Sequence, residues 1–219
     1  MSDEALPPLK IGVTCWKPES NWDATTLCQQ AEHVEALGFH SYWLPENHFE
    51  GMAMPSPLTQ LAAISARTTT IKLGTVSYLL PIRHPIQAAE EVAVLDQLCN
   101  GRLILGLGRG IQTSVFSAFG IDSKDKRKRF AENLSLIRSA WAGQAIAQDP
   151  QGKDILLSPL PTELEGPPLW VAAFGPLALK QVAQLGLPYL ASPMETLQEL
   201  ETNYTLFKTL LADSEQDAV

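Results

Sequence analysis

Residues 95–110 read Leu-Asp-Gln-Leu-Cys-Asn-Gly-Arg-Leu-Ile-Leu-Gly-Leu-Gly-Arg-Gly, which is a helix end, a turn and a strand in succession. The helical pattern stops at Leu98, and Asn100-Gly101 is a dipeptide that marks a turn. The strand predicted over 102–107 carries almost no charge, which is typical of a parallel strand that helices cover on both faces. This segment therefore predicts an α/β fold built from parallel strands.

The same alternation of strand and helix extends along the rest of the chain and predicts six βα units. The predicted strands are 9–16, 41–45, 71–80, 102–107, 169–174 and 187–192. The predicted helices are 23–37, 56–67, 84–98, 124–141, 176–185 and 194–211. A closed (β/α)8 barrel needs eight strands and about 250 residues. The pattern alone therefore leaves two alternatives, an open doubly wound sheet and an incomplete TIM-type barrel.

Two segments interrupt this alternation. Residues 111–120 are predicted to form a loop or an irregular turn, so the glycine-rich strand end before them does not open a helix. Residues 144–168 are rich in proline and glycine and contain a short apolar run at 155–157. This second segment predicts an excursion from the sheet, for which a hairpin is one candidate.

The composition predicts a single domain over residues 1–219. Hydrophobic side chains make up 45% of the chain, which is enough for a sizeable core. The 24 acidic residues outnumber the 16 basic ones, and the net charge of −8 gives no positive field for nucleic acid or an anionic membrane. No signal peptide or 18-residue apolar stretch is found. Three cysteines without a Cys-x-x-Cys spacing fit a reducing cytoplasm better than a disulfide scaffold or a zinc site.

Arg109 is the first candidate for anion binding. It stands in Gly106-Leu107-Gly108-Arg109-Gly110, at the carboxyl end of the fourth predicted strand, where α/β sites form. Glycines let a ligand approach the backbone, and the planar guanidinium offers donors that suit a phosphate. The spacing is not a dinucleotide fingerprint. The glycines can equally serve tight turning, so both interpretations stay open.

Two further segments could receive an anion. The run Lys124-Asp125-Lys126-Arg127-Lys128-Arg129 puts five cations at the start of a predicted helix, where the helix dipole prefers negative charge. A bound phosphate would offset that cost, and a solvated basic face is the alternative. A weaker signal is Ala173-Phe174-Gly175, where the fifth predicted strand ends just before a helix that begins at Pro176 and leaves its first amides free.

His48 is the candidate for proton transfer. It lies in Trp43-Leu44-Pro45-Glu46-Asn47-His48-Phe49, a polar segment that follows the second predicted strand. Imidazole gains and loses a proton near neutral pH, which suits acid–base chemistry. The alternative is that His48 only hydrogen-bonds a neighbour. The other three histidines show neither paired spacing nor a nearby carboxylate set, so no metal site is predicted.

With these residues in view, the chain resembles the bacterial-luciferase-like flavin monooxygenase family from Lys10 to about Leu211. The resemblance rests on residues 38–49, 79–85, 95–102 and 168–173, and the third of these blocks, continued by 106–110, is the most family-specific. It implies an eight-stranded barrel that holds reduced FMN (FMNH2) without a covalent bond. It also implies that the flavin reacts with O2 beside a small organic substrate.

The resemblance assigns several residues to the flavin site. Arg109 matches the family arginine that contacts the flavin and its phosphate, and Arg127 matches a second phosphate-binding arginine. Ala173, Phe174 and Gly175 fall where the family surrounds the phosphate with backbone and small polar side chains. Val76 and Ser77 fall where some members have a cis peptide bond beside the isoalloxazine ring.

The sequence departs from the luciferases at catalytic positions. Luciferases have Glu-His-His-Phe where this chain has Glu46-Asn47-His48-Phe49, so Asn47 occupies the position of the family's catalytic base. An amide does not accept a proton at neutral pH, which leaves His48 as the reserve candidate. Phe174 and Gly175 replace a Glu-Ser pair, and Pro193 replaces a flavin-site tryptophan. We therefore do not expect light emission.

The last two barrel strands of the family have no counterpart before Val219. The expectation is either a piece of a longer monooxygenase or a shortened member whose open core pairs with another copy or a partner subunit. The favoured function is a two-component FMN monooxygenase that is supplied by a separate flavin reductase. The alternatives are a flavin-binding or interaction protein without turnover and, third, a deazaflavin-dependent oxidoreductase on the same fold.

Overall fold

The computed structural model describes residues 8–16, 23–49, 51 and 53–216. Nine strands are found within these residues: β1 Gly12–Thr14, β2 Ser41–Leu44, β3 Lys72–Thr75, β4 Tyr78–Leu79, β5 Leu103–Gly108, β6 Ala147–Gln148, β7 Asp154–Ile155, β8 Leu169–Ala172 and β9 Tyr189–Leu190. The α-helices are α1 Ala24–Ala36, α2 Pro57–Ser65, α3 Pro85–Leu98, α4 Thr113–Ala118, α5 Lys126–Trp141, α6 Pro176–Gln184 and α7 Leu197–Gln216.

Six strands form one parallel sheet in the order β1-β2-β3-β5-β8-β9, and the sheet curls into a half-barrel. The short β4 pairs with the far end of β5, where Tyr78 lies opposite Leu107 and Leu79 opposite Gly108. Every pairing in this sheet is parallel, so the carboxyl ends of the strands meet at one rim. The predicted α/β fold with six parallel βα units is confirmed.

The convex face of the sheet packs against the helices. Alternate strand residues point to this face, and those of the central strands are almost fully buried: Tyr42, Leu44, Leu73, Leu103, Leu105, Leu107, Leu169 and Val171. They form one cluster with apolar residues of the surrounding helices, such as Ala31, Leu61, Val92, Ile137 and Leu179. This cluster is the core that holds the strand tips at the rim in position.

Two tryptophans meet on the opposite, concave face. Trp43 on β2 and Trp170 on β8 have ring centroids 6.3 Å apart, although β3 and β5 lie between their strands. Three strand spacings amount to about 14 Å in a flat sheet, so this contact reflects the curvature of the sheet and the reach of two indoles. Gly74 makes room for the Trp43 ring, since a Cβ there would lie 2.2 Å from it.

Several element boundaries differ from the sequence expectation. The strand expected over 71–80 is wrong as a single element, because β3 and β4 are separate strands. The peptide bond between Val76 and Ser77 is cis. The loop expected over 111–120 is also wrong, since it contains α4. Val115 and Phe116 of α4 are buried against Ile82. Tertiary contacts therefore stabilise a short helix that the local sequence does not predict.

The last helix begins and ends later than expected, over Leu197–Gln216 instead of 194–211. Thr196 and Glu199 form a reciprocal cap: the Glu199 backbone N–H donates to Thr196 Oγ1 at 3.2 Å, and the Thr196 N–H donates to Glu199 Oε2 at 2.8 Å. This is the capping-box pattern. The excursion over 144–168 contains the antiparallel pair β6–β7, so the hairpin is confirmed.

Candidate functional site

Glu46, just beyond the tip of β2, is the centre of a buried polar cluster. Its side chain is fully shielded from solvent, its Oε1 accepts a hydrogen bond from a guanidinium nitrogen of Arg83, and the same Oε1 lies 2.8 Å from His48 Nε2, within hydrogen-bond distance. Its Oε2 accepts the backbone N–H of Leu79 at 2.8 Å. A buried carboxylate is costly unless it is paired and hydrogen-bonded. Here the guanidinium of Arg83, the backbone N–H of Leu79 and the imidazole of His48 surround it.

Arg83 supplies the positive charge of this cluster. Its Cζ lies 4.6 Å from the centroid of the Tyr78 ring, a cation–π geometry. The Tyr78 hydroxyl donates to Glu91 Oε2 at 3.3 Å, and burial raises the pKa of Tyr78, so the phenol stays neutral. The Nε of Arg83 is buried without a hydrogen-bond partner in the described part of the chain. The guanidinium is therefore held between an aromatic face and a carboxylate.

His48 is buried and packs within an aromatic cluster. Its ring centroid lies 5.3 Å from that of Phe119 in an edge-on arrangement and 5.5 Å from that of Phe49. Phe49 has a φ of 66° and is 66% exposed. A positive φ is rare for a bulky residue, and such outliers concentrate at functional sites. The His48 ring thus contacts the Glu46 carboxylate on one side and the exposed rings of Phe49 and Phe119 on the other.

Asn47 has a different role from its neighbours. Its Oδ1 accepts the backbone N–H of Met54 at 2.5 Å, and its own N–H donates to the Met54 carbonyl at 3.2 Å. These two bonds close the loop between residues 47 and 54. The side-chain carbonyl of Asn47 is therefore engaged in shaping the loop.

Arg109 and Arg127 lie close to one another. Arg109 Nη1 donates to Gln181 Oε1 at 3.0 Å, and Gln181 Nε2 donates to the backbone carbonyl of Arg127 at 3.3 Å. Burial, and secondly the neighbouring charge of Arg127, lower the pKa of the Arg109 guanidinium. Gln181 lies on α6, the helix that begins next to Gly175. Two of the three segments expected to receive an anion, together with the helix that follows the third, therefore meet at the same rim.

The other cations of the basic run have separate roles. Lys126 Nζ donates to the carbonyl of Gly110 at 3.2 Å, and Arg129 Nε donates to the carbonyl of Pro81 at 2.9 Å. Lys128 is exposed and pairs with Glu132 at 3.9 Å along α5. The helix itself begins at Lys126, two residues later than expected, after a short 3₁₀ turn in which Asp122 caps the N–H of Lys124.

The segment at Val76–Ser77 lies against the glycine-rich end of β5. A Cβ at Gly108 would lie 1.9 Å from Ser77 Oγ, and one at Gly106 would lie 2.0 Å from the carbonyl oxygen of Thr75. Thr75 Oγ1 also donates to the carbonyl of Gly106 at 2.8 Å. These glycines therefore serve close approach between neighbouring strands.

Beyond β8, Ala173 is buried and Phe174 is 64% exposed, while Gly175 has a φ of 78° and precedes α6. A cavity of about 560 Å³ opens beside Phe174 and Gly175. Its remaining lining comes from the chain around the start of α7: Glu195, Thr196, Gln198, Glu199, Thr202 and Asn203. Two carboxylates in the lining make the cavity itself unfavourable for a phosphate.

Sequence reasoning missed four residues of this arrangement: Glu46, Arg83, Phe119 and Gln181. Arg83 lies within residues 79–85, which carry part of the family resemblance, but its local pattern assigns it no role, and nothing in the helical pattern of α6 distinguishes Gln181. Among the described residues, no group of three or more His, Cys, Asp or Glu side chains is placed to hold a metal ion. Within the same residues, no helix has both the length and the apolar character needed to cross a membrane.

A family model described as luciferase-like monooxygenase matches residues 11–218 of the chain. The oxygenase component of the flavin-dependent trigonelline monooxygenase of Acinetobacter baylyi is 28% identical over 217 residues, which cover 88% of this chain and 59% of that protein. The chain spans about half the length of the curated relatives that it matches.

Solved structures share the fold. The monooxygenase RslO1 from Streptomyces bottropensis matches with a TM-score of 0.82 and 25% identity, over 94% of this chain and 67% of that one. The oxygenating constituent of the 3,6-diketocamphane monooxygenase from Pseudomonas putida, solved with FMN, matches with a TM-score of 0.81 and 18% identity, over 94% of this chain and 63% of that one. The coenzyme F420-dependent tetrahydromethanopterin reductase of Methanopyrus kandleri matches with a TM-score of 0.71 and 17% identity, over 95% of this chain and 62% of that one. The half-barrel thus corresponds to part of a TIM-barrel-type fold, not to an open doubly wound sheet.

Proposed function

The chain belongs to the luciferase-like monooxygenase family, and we propose that it binds reduced FMN and uses it with O2 to oxygenate a small, apolar organic substrate. On this proposal a separate flavin reductase supplies the reduced flavin. A relative that is named as an oxygenase component supports this division of labour. When bound, reduced flavin would supply the electrons for the reaction with oxygen.

The arginine pair at the rim is the observation that carries this proposal. Arg109 and Arg127 repel one another, and Arg109 is partly buried, so both effects lower the pKa of its guanidinium. A phosphate between them would relieve the repulsion and form charge-assisted hydrogen bonds. The backbone N–H of Leu177 in the first turn of α6 would add a donor to the same anion, since those of Ala178 and Leu179 already bond the Gly175 carbonyl. The donor set therefore fits the terminal phosphate of a mononucleotide.

The remaining site residues surround this anchor. We propose that Val76 and Ser77 contact the flavin ring and that Ala173, Phe174 and Gly175 border the phosphate. Next to the ring, the buried imidazole of His48 would hold or move a proton. Asn47 would shape the loop above it. The exposed rings of Phe49 and Phe119 would contribute apolar surface that excludes water from the substrate.

Titration of the purified protein with FMN and with riboflavin tests the anchor. We expect Arg109→Ala to weaken FMN binding about 10- to 100-fold, because a charge-assisted hydrogen bond is worth roughly 1.5 to 3 kcal/mol. Riboflavin, which lacks the phosphate, should bind both proteins equally. Lys128→Ala is the matched control, since Lys128 is an exposed cation on the same helix as Arg127. Equal FMN affinity in wild type and Arg109→Ala rejects the anchor.

A second candidate function is flavin binding without turnover. It is favoured by Asn47, whose amide stands where the family has a catalytic base and is already engaged with Met54. A reductase-coupled assay with FMNH2, O2 and a panel of apolar aldehydes, ketones and terpenes separates the two. Substrate-dependent oxygenation eliminates this second candidate.

A deazaflavin cofactor is the alternative to FMN. It is favoured by the shared fold with an F420-dependent reductase. The absorbance spectrum of a cofactor that copurifies with the protein, or competition between the two cofactors in the titration above, distinguishes them. FMN is the cofactor we propose, and a neighbouring structure solved in complex with FMN supports it.

A further inference from the structure

His48 owes its position to a carboxylate and a guanidinium that no part of the proposed function uses directly. We propose that Glu46 and Arg83 are positioning residues that fix a proton on Nε2 of His48 and leave Nδ1 as the atom through which the ring exchanges a proton at the flavin site. The role of Nδ1 at the flavin site rests on the proposed function. The proton on Nε2 does not depend on it.

The tautomer follows from what Glu46 can accept. An ionised carboxylate has acceptors only, and Glu46 Oε1 lies 2.8 Å from His48 Nε2. Its other two bonds also come from donors, the guanidinium of Arg83 and the N–H of Leu79. The opposite arrangement, in which a protonated Glu46 donates to Nε2, would place a neutral carboxyl group beside the guanidinium of Arg83 and lose their ion pair. Nε2 therefore carries a hydrogen whether the imidazole is neutral or charged.

Arg83 keeps Glu46 in this acceptor state. The Glu46 side chain is fully buried, and an unpaired buried carboxylate would neutralise itself by taking up a proton. A protonated Glu46 could donate to Nε2 and reverse the tautomer of His48. Arg83 prevents this through its ion pair. It is in turn held over the ring of Tyr78, at 4.6 Å.

Nδ1, the other ring nitrogen, is the atom left for proton exchange. Among the described residues Nδ1 of His48 has no hydrogen-bond partner, and the ring packs edge-on against Phe119 at the carboxyl rim. Glu46 also bonds the N–H of Leu79, two residues after Ser77. The imidazole is therefore fixed relative to the Val76–Ser77 segment by one shared carboxylate. Proton exchange through Nδ1 would leave this connection intact.

The tautomer can be read without any flavin. Protein labelled with ¹⁵N-histidine gives long-range ¹H–¹⁵N spectra that distinguish Nδ1–H from Nε2–H, and His48→Gln assigns the His48 signals among the four histidines. At about pH 9, where ordinary imidazoles are neutral, we expect only the Nε2–H form for His48. Observation of the Nδ1–H form overturns the proposal.

Isosteric variants test the cause. In Glu46→Gln the amide can donate or accept, so we expect a mixture of both tautomers at His48. Arg83→Met should likewise raise the population of the Nδ1–H tautomer. Arg83→Lys, which restores the charge, should return the population toward Nε2–H. A His48 spectrum that is unchanged in Glu46→Gln overturns the positioning role. Near-ultraviolet circular dichroism verifies that each variant is folded.

The rate at which O2 reoxidises photoreduced FMN in the protein tests the functional half. We expect His48→Gln and Glu46→Gln each to change this rate at least fivefold, and the double variant to equal the His48→Gln single variant, since Glu46 acts through His48. Additive effects, or no effect of His48→Gln, overturn the proposal. Failure of FMN to bind at all instead refutes the proposed function, and the tautomer measurements then still decide the role of Glu46 and Arg83.

Discussion

Arg109 Nη1 and Gln181 Oε1 lie 3.0 Å apart, so the amide of α6 holds the guanidinium that follows β5. The same amide group donates to the backbone of Arg127 through its nitrogen, at 3.3 Å. Gln181 thus connects two cations that are separated by 18 positions in the chain. It fixes the Arg109 guanidinium relative to the backbone at Arg127 before any anion arrives, which reduces the ordering that a ligand must impose.

Replacement of Gln181 by methionine, which has a similar length and no amide, removes both hydrogen bonds. We expect FMN affinity to fall about 5- to 10-fold, because a hydrogen bond of this kind contributes about 1 kcal/mol. Riboflavin affinity should stay unchanged, since riboflavin has no phosphate for the arginines to hold. Isothermal titration with both ligands measures the difference. Gln184→Met, an exposed position on the same helix, is the matched control, and equal losses for both ligands would contradict the spacing role.

The arginine site was only partly predictable from the sequence. Arg109 could be identified because glycines surround it at a strand end, and the cations around Arg127 because they begin a helix against its dipole. Gln181 could not, since a glutamine on an amphipathic helix has no local signature. Its role depends on which loop ends near α6, and only the curl of the sheet brings these loops together.

The fold, like the arginine site, was only partly predictable from the sequence. Apolar runs that alternate with helical periodicity were sufficient to predict six parallel βα units, because that pattern is local. They were not sufficient to predict α4, since Val115 and Phe116 form a helix only against Ile82. They also could not separate a flat sheet from a curled one. Curvature depends on contacts such as Trp43 with Trp170, whose strands are far apart in sequence.

Glu35 makes the stability of the protein depend on acidity. Burial alone would raise the pKa of its carboxyl group, but bonds from the N–H groups of Thr70, Ile71 and Thr69 and from the Thr70 hydroxyl outweigh burial and hold the pKa at about 2 instead of 4.5. A carboxyl group whose pKa is lower in the folded state stabilises the protein above its unfolded pKa. This stabilisation is lost as the pH falls from 4.5 toward 2.

We therefore expect Glu35→Gln to lower the free energy of unfolding by about 2 kcal/mol at pH 7, allowing for partial exposure of the group. The difference between wild type and variant should shrink between pH 4.5 and pH 2 and vanish near the lower value. Urea unfolding at a series of pH values measures it. Glu90→Gln, at an exposed position on α3, serves as control. A difference that is constant across this range would contradict the assignment.

Arg102 has a structural role despite its place in the most family-specific block. Its guanidinium is buried and donates to four backbone carbonyls, those of Ser65, Thr68, Ile71 and Cys99, and to the Thr68 hydroxyl. We expect Arg102→Met to destabilise the fold by about 3 kcal/mol or more, because these acceptors would stay buried without donors. Chemical denaturation measures the loss. Arg138→Met, at an exposed position of α5, should change stability by no more than about 0.5 kcal/mol.

Gly106 is required by the closeness of two strands. A Cβ there would lie 2.0 Å from the carbonyl oxygen of Thr75, a backbone atom of β3 that cannot move without breaking the sheet. A Cβ at Gly74 would instead meet the side chain of Trp43, whose displacement would leave the backbone pairing of the strands intact. We expect Gly106→Ala to cost at least about 3 kcal/mol and Gly74→Ala about 1 to 3 kcal/mol. Thermal and urea unfolding measure both, and Gly51→Ala, where nothing lies within 4 Å of the added atom, is the control. If Gly106→Ala were as stable as Gly51→Ala, β3 and β5 could not approach as closely as this fold requires, and the Val76–Ser77 segment that packs beside them would be positioned differently.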